Sequence, residues 1–377
     1  VQEASSMFLE QAMVQCADLS RPLKVLDLCA APGGKSTHLQ SLLSERSLLV
    51  SNEVIKSRTP VLTDNIIKWG AANTVVTSND PSAFEALQGF FDVMVVDAPC
   101  SGSGLFRKDE AAMEEWSLNN VQLCCQRQQR ILADALPALA EEGLLVYSTC
   151  SYSKEEDEDI CDWLAGEMEM EPLALKLPAD WGIITSYSPL ASAPGYRFYP
   201  HLLGGEGFFI ACFRKKGKAG VIRTKPAKTE KAAARERSII LPWLATAEEI
   251  YKEGDEFFLL PPPVAAHYSV LKAVLNIRYA GVALGQIMKE RLVPAHALAL
   301  SRLLAAEVPF NDLGYDDAIS YLQRKELNFN TSGKGWQLAG YKGCNLGWIN
   351  VLPNRINNYY PKEIRILKQS NDRSFEK

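Results

Sequence analysis

Through the first two hundred residues, short runs of β-branched and aliphatic side chains alternate with longer stretches in which apolar positions recur every three or four residues. The runs at 24–28, 48–52, 74–77, 91–97, 143–148 and 207–213 predict strands, and amphipathic stretches such as 36–43 and 121–139 predict helices between them. Regular alternation of strand and helix predicts an α/β fold with a doubly wound, mostly parallel sheet. Ligands of such sheets bind beyond the carboxyl ends of the strands, so the residues just after each run are the first candidates for chemistry.

The pattern breaks at residues 215–238, which are rich in Lys, Ala and Gly and nearly free of large apolar side chains. That composition predicts a basic linker after a first domain spanning 1–214. Residues 239–325 read as a mixed, partly helical region with a turn at Pro261, Pro262 and Pro263 and a helical stretch at 294–306. Residues 326–377 contain a Gly- and aromatic-rich segment, 335–360, that predicts short strands with tight turns in a small β-rich module.

At 377 residues the chain exceeds one ordinary core. Its apolar runs, such as 93–96 and 143–147, are strand-sized and fall far short of the roughly 20 residues that span a bilayer, so no membrane association is expected. The polar start at Val1, Gln2 and Glu3 is unlike a secretory signal. Nine cysteines, an odd number scattered through a long chain, predict free thiols in a reducing cytoplasm. His38, His201, His267 and His296 lie far apart and no CxxC pair occurs, so no metal is expected. The net charge of −5 speaks against a polyanionic partner, but it is unevenly spread: residues 214–237 hold ten Lys or Arg against two Glu, while 155–171 are densely acidic. On composition alone the basic stretch reads as a solvated linker.

The first predicted strand runs into Asp27-Leu28-Cys29-Ala30-Ala31-Pro32-Gly33-Gly34-Lys35-Ser36, a small-residue loop that opens a helix. Small side chains let a ligand approach the backbone, and a helix amino terminus offers unsatisfied N–H groups. Gly-Gly-Lys-Ser is not a P-loop, because Cys29 stands where that motif needs its first glycine. Two acids follow later strands, Glu53 after the second and Asp80 after the third. A carboxylate after the second strand can accept both ribose hydroxyls, and Asp80 could bond an adenine edge. Taken singly, each acid reads equally well as a helix cap, Asp80 before Pro81 above all. With the loop from Cys29 to Lys35, they predict a nucleoside cofactor. No GxGxxG fingerprint is present, and the loop proline favours S-adenosylmethionine over a nicotinamide dinucleotide.

The fourth predicted strand ends in Asp97-Ala98-Pro99-Cys100-Ser101-Gly102-Ser103-Gly104 and the fifth in Ser148-Thr149-Cys150-Ser151-Tyr152-Ser153. Two cysteines therefore fall on the sheet edge that carries the cofactor loop. Carbon 5 of cytosine is too weak a nucleophile to attack a sulfonium methyl unaided. A thiolate adding to carbon 6 turns carbon 5 into an enamine carbon and divides the reaction into two easier steps. Asp97 could hydrogen-bond the ring nitrogen and exocyclic amine as charge develops. The proton on carbon 5 must then leave before the thiolate is expelled, a step for which Cys100 is placed. Either cysteine alone reads more simply as a small buried apolar residue. Polar and glycine-rich flanks on both favour chemistry for the pair, whereas Cys16, Cys124, Cys125, Cys161, Cys212 and Cys344 lack such a setting.

These motifs resemble the Sun/Nop family of RNA (cytosine-5)-methyltransferases. Gln2-Glu3-Ala4-Ser5-Ser6-Met7 is similar to the family's entry motif, 29–35 to its cofactor loop, 97–104 to its Asp-Ala-Pro-Cys-Ser-Gly motif and 148–151 to its Ser-Thr-Cys-Ser motif. Residues 197–209 resemble its last strand motif, and 336–361 the PUA-like RNA-binding module of the bacterial ribosomal-RNA branch called RsmF. Glu155-Glu156-Asp157-Glu158 stands where the family has Glu-Glu-Asn-Glu, a tolerable exchange, and the family's small amino-terminal RNA-binding domain would precede Val1.

The resemblance implies a Rossmann-like class I methyltransferase fold, S-adenosylmethionine as cofactor (with Asp97 among its contacts), Cys150 as nucleophile and Cys100 in product release. DNA enzymes carry their nucleophile at the position of Cys100, so the second cysteine points to RNA. The expected function is 5-methylcytosine formation through a covalent cysteine–cytosine adduct on small-subunit (16S) ribosomal RNA, by a cytoplasmic monomer. The basic linker and the last module would grip RNA phosphates and shape. The same chemistry on transfer RNA, or a non-catalytic RNA-binding assembly factor on this fold, are the rival readings.

Overall fold

The computed structural model describes residues 3–246 and 249–367. Val1, Gln2 of the entry motif and residues 368–377 of the expected last module lie outside the described residues. The chain forms two compact units, one of residues 1–66, 73–228 and 263–279, the other of 67–72, 229–262 and 280–377.

In the first unit, β1 (Lys24–Asp27), β2 (Leu48–Asn52), β3 (Thr74–Thr77), β4 (Phe91–Asp97) and β5 (Leu139–Thr149) pair in parallel in the order 3-2-1-4-5. β2 and β3 are buried at every position, as strands covered on both faces must be. The sheet continues antiparallel. β6 (Met170–Leu173), β7 (Ile184–Tyr187) and β8 (Pro194–Phe198) lead to β9 (Phe208–Lys215), which lies between β5 and β8 and also pairs β6. On one face Val25, Leu49, Val93, Leu144 and Ile210 pack with Leu9 and Met13 of α1 (Leu9–Cys16) and Leu39 of α2 (Gly34–Leu42).

Three more helices follow between β2 and β5: α3 (Thr59–Trp69), α4 (Glu110–Glu115) and α5 (Leu118–Ala135). α5 starts where the Ser117 hydroxyl accepts from the Asn120 N–H at 3.1 Å. Its buried stripe is Val121, Cys124, Gln128, Ile131, Leu132 and Ala135, the three-and-four spacing read in the sequence. Gln128 is the polar exception in that stripe, and it serves the site described below. α6 (Glu158–Gly166) follows β5.

No regular element occupies residues 216–229 of the basic stretch. β10 (Glu230–Lys231), α7 (Ala234–Ile240), β11 (Glu249–Glu253) and β12 (Glu256–Leu260) belong to the second unit. The chain then returns to the first unit through α8 (Pro262–Val274) and β13 (Ile277–Ala280), which takes the sheet edge beside β3. The second unit resumes with β14 (Val282–Met288) and β15 (Arg291–Pro294), which close a sheet in the order β10-β11-β12-β14-β15. The helix expected over 294–306 is only α9 (His296–Leu300), because the chain beyond it is drawn into an extended pairing of Leu304 with Leu244. Last come β16 (Phe310–Asp312), β17 (Gly335–Tyr341), β18 (Cys344–Leu352) and β19 (Arg355–Asn358), a four-stranded sheet with Ala339, Ile349 and Val351 in its core. Among the described residues no helix is long and apolar enough to cross a membrane, and no group of three metal-ligating side chains occurs.

Candidate active site

Strand register brings the sequence motifs together. β4 and β5 pair Asp97 with Ser148, so the two cysteine loops leave neighbouring parallel strands side by side. The Cys100 and Cys150 sulfurs are 2.7 Å apart, both free, and the Cys150 N–H points at the Cys100 sulfur at 3.3 Å. Gly104 closes the loop by donating its N–H to the Cys150 carbonyl at 2.8 Å. A Cβ there would stand 2.7 Å from that oxygen and 2.6 Å from the Gly207 carbonyl, which restricts the position to glycine.

Asp97 accepts from the Ser148 hydroxyl at 2.9 Å and from Lys35 Nζ at 2.8 Å. Burial alone would lower the Lys35 ammonium, but the Asp97 carboxylate beside it holds it above its ordinary value. The same ammonium lies over the Phe208 ring, 5.1 Å from its centroid. Of the predicted cofactor residues, Lys35 thus joins the cysteine side of the site.

The loop Cys29, Ala30, Ala31, Pro32, Gly33, Gly34 crosses the ends of β1 and β2. Ala30 donates to the Asn52 carbonyl at 2.8 Å, while Asn65 donates to Pro32 at 2.8 Å and Arg58 to Ala31 at 2.6 Å. Gly33 holds φ +108°, and a Cβ there would meet Leu62 Cδ1 at 3.1 Å. Glu53 is buried at the end of β2, where one carboxylate oxygen accepts from the Ile55 N–H at 2.8 Å and the other lies 3.6 Å from Arg58. Asp80 stands apart from this group. It is exposed, caps the short helix Pro81–Leu87 through the Ser82 N–H at 3.1 Å and faces Arg130 at 3.4 Å. Asn79 is the residue tied to the loop system, its N–H donating to Asn52 Oδ1 at 3.0 Å while Asn52 Nδ2 donates to the Leu28 carbonyl at 3.1 Å.

Residues 16–214, more than half of the chain, match the family model described as 16S rRNA methyltransferase RsmB/F. The chain belongs to the RsmB/F methyltransferase family. Residues 309–366 match the model of the methyltransferase RsmF PUA domain. The ribosomal RNA small subunit methyltransferase F of Shewanella woodyi is 31% identical, the alignment covering 97% of this chain and 78% of that protein. The same-named protein of Aeromonas hydrophila is 30% identical over the same shares. The crystal structure of PH0851 is similar with a TM-score of 0.50 and 29% identity, covering 57% of this chain and 46% of that one.

RsmB/F enzymes are S-adenosylmethionine-dependent methyltransferases, and this chain fits that donor. Asp27, wholly buried at the end of β1, accepts from the Ser36 hydroxyl at 2.6 Å through one oxygen, while the other has no hydrogen-bond partner. A buried polar atom left so is the mark of a missing ligand or water. With the side-chain-free cradle at Gly33 and the buried carboxylate of Glu53, it gives the ends of β1 and β2 a lining whose chemistry fits a nucleoside.

Burial raises the Asp27 carboxyl from 3.8 to about 7, with the Ser36 hydrogen bond opposing and the Asp97 charge adding. The folded protein keeps this proton where the unfolded chain has lost it. The associated stability is full below about pH 4 and lost as pH rises through about 7. Asp27→Asn is therefore expected to flatten the fall in urea-unfolding free energy between pH 5 and pH 8, by at most about 3 kcal/mol. A variant that keeps the full wild-type fall would contradict the assignment.

The sequence pointed to Asp97, Cys100, Cys150, Glu53, Asp80 and the loop from Cys29 to Lys35, but not to Asp27, Asn52, Asn79 and Arg58, which the fold ties to that loop or its helix. The position of Asp27 at the very end of the first strand was the available signal.

Proposed function

We propose that this RsmB/F-family chain forms 5-methylcytosine in small-subunit ribosomal RNA, with Cys150 as nucleophile, Cys100 as the base that permits release, and Asp97 with Lys35 steadying the cytosine ring. The reading rests above all on the pair of free sulfurs 2.7 Å apart at the ends of adjacent parallel strands. Two cysteines converging at one sheet edge match a reaction that must make and then break a bond to one base.

S-adenosylmethionine, when bound, supplies an electrophilic sulfonium methyl. The Cys150 thiolate adds to carbon 6, and the electron pair of the 5,6 double bond moves onto the ring, leaving carbon 5 nucleophilic. Asp97 accepts from the exocyclic amine, and the Lys35 ammonium it holds at 2.8 Å offsets the negative charge that grows on the ring. Carbon 5 then bears both the methyl and its original hydrogen. Cys100 takes that proton, the freed pair rebuilds the double bond, and the sulfur–carbon bond returns its electrons to Cys150.

The timing follows from charge. In the resting site the hydrogen bond to Cys150 and burial push the Cys100 thiol well above its ordinary value, and the charges of Cys150 and Glu156 add to this. The contributions from Cys150 vanish once its sulfur is bound to carbon 6. Burial and Glu156 still act on the Cys100 thiol, but losing its proton to water, and so acting as base, costs less than in the resting site.

The target base must leave its stack to reach sulfurs held in a protein loop. The basic stretch at 214–237 and the PUA-type module supply phosphate and shape contacts for the surrounding RNA, and the enzyme works as a cytoplasmic monomer. Bisulfite sequencing of ribosomal and transfer RNA from cells lacking this protein should show one 5-methylcytosine lost from 16S RNA. Loss confined to transfer RNA would overturn the target, and no loss in either would overturn the activity.

A further inference from the structure

The carboxylate of Glu156 has no exposed surface, although it lies in an acidic run. Its Oε1 accepts from the Ser101 N–H at 2.8 Å and from Gln128 Nε2 at 3.3 Å. Its Oε2 accepts from the hydroxyls of Ser101 at 2.5 Å and Ser151 at 2.6 Å. Four donors saturate the two oxygens of a carboxylate. Ser101 follows Cys100 and Ser151 follows Cys150, so one buried charge joins the two cysteine loops at the residue next to each sulfur. Gln128 also donates to the Pro99 carbonyl at 3.1 Å, which ties the approach to Cys100 to the same centre.

The two cysteines do not depend on this centre equally. Cys150 directly follows Thr149, the last residue of β5, which is paired with Phe209 in the sheet ladder. Cys100 lies three residues past the end of β4, ahead of Gly102 in a left-handed conformation, and has no ladder to hold it. Its loop is fixed from the Ser101 side by the carboxylate.

We propose that Glu156 is a positioning residue that holds Cys100 in register with Cys150, and so governs release of the methylated base more than formation of the adduct. The proposal rests on the roles given above to the two cysteines. Carbon 5 and carbon 6 are adjacent atoms of one ring, so release demands that both sulfurs meet the same base at once. Attack by Cys150 alone does not, and misplacing a reacting group by about 1 Å costs on the order of 100-fold.

The test compares Ser101→Ala and Glu156→Gln with Cys100→Ala and wild type, using RNA substrate and S-adenosylmethionine. Single-turnover adduct formation should change by less than about 3-fold in the two clamp variants, while steady-state turnover falls roughly 10- to 100-fold. The covalent protein–RNA species on a denaturing gel should rise at least about 5-fold. A merely structural loss would lower formation and release together and leave no excess adduct. If Cys100→Ala traps adduct but both clamp variants turn over as wild type, or lose both steps equally, the positioning role is overturned and the cysteine roles stand. If Cys100→Ala traps none, the cysteine roles fall and the proposal with them. Should Glu156→Gln not fold, Ser101→Ala carries the test, because it removes one donor and leaves the backbone N–H bond to Glu156 in place.

Discussion

Replacing Cys150 with alanine is expected to lower methyl transfer to RNA by roughly 10⁴-fold or more, the scale seen when a covalent nucleophile is removed. Without the sulfur, carbon 5 keeps the low reactivity of an aromatic ring carbon, and no arrangement of Asp97 and Lys35 replaces the electrons the thiolate would have contributed. The fold should tolerate the change, since the side chain lost is small and only partly buried. The cofactor loop at the ends of β1 and β2 is untouched, so S-adenosylmethionine affinity by calorimetry should stay within about 3-fold of wild type, as for a site with no shared partners. Tritiated-methyl transfer under single-turnover conditions reads the effect. A rate within tenfold of wild type would show that the nucleophile lies elsewhere.

Cys100→Ala should behave in the opposite way. Its first methyl transfer is expected near the wild-type rate, after which turnover should fall about 100- to 10,000-fold, the range that a general base contributes. The methylated base then stays bonded to Cys150, and a protein–RNA species should survive boiling in denaturant. In a Cys100→Ala/Cys150→Ala double variant that species should disappear, because the bond that holds it has no sulfur. A Cys100→Ala enzyme that turns over freely and leaves no adduct would remove the base from the position assigned to it.

The strands that build the site were legible because each is a compact aliphatic run bounded by polar or small residues, and β1, β2, β3, β4 and β9 lie within two residues of the predicted limits. Both cysteines could be placed for the same reason, since each follows such a run. The antiparallel strands β7 and β8 were not legible: β7 is largely exposed, and its register with β8 is set across a turn rather than by an apolar pattern. Asp80 read as both ligand and cap, and in the fold it accepts the Ser82 N–H as a cap does. Glu156 read as part of a densely acidic run, in the stretch set against the family's Glu-Glu-Asn-Glu. It is buried because Ser101 and Gln128, 55 and 28 residues earlier in the chain, converge on it, and local spacing carries no trace of such partners.

β13 adds a constraint of another kind. This edge strand of the catalytic sheet is drawn from residues 277–280, far downstream of the basic stretch, and Asn276 before it accepts from the Ser78 N–H at 3.0 Å, one residue past β3. During synthesis, β3 must therefore wait with an open edge while some two hundred further residues leave the ribosome. A gene cut at the apparent domain boundary would release a sheet one strand short, without α8 and β13 that return to the first unit.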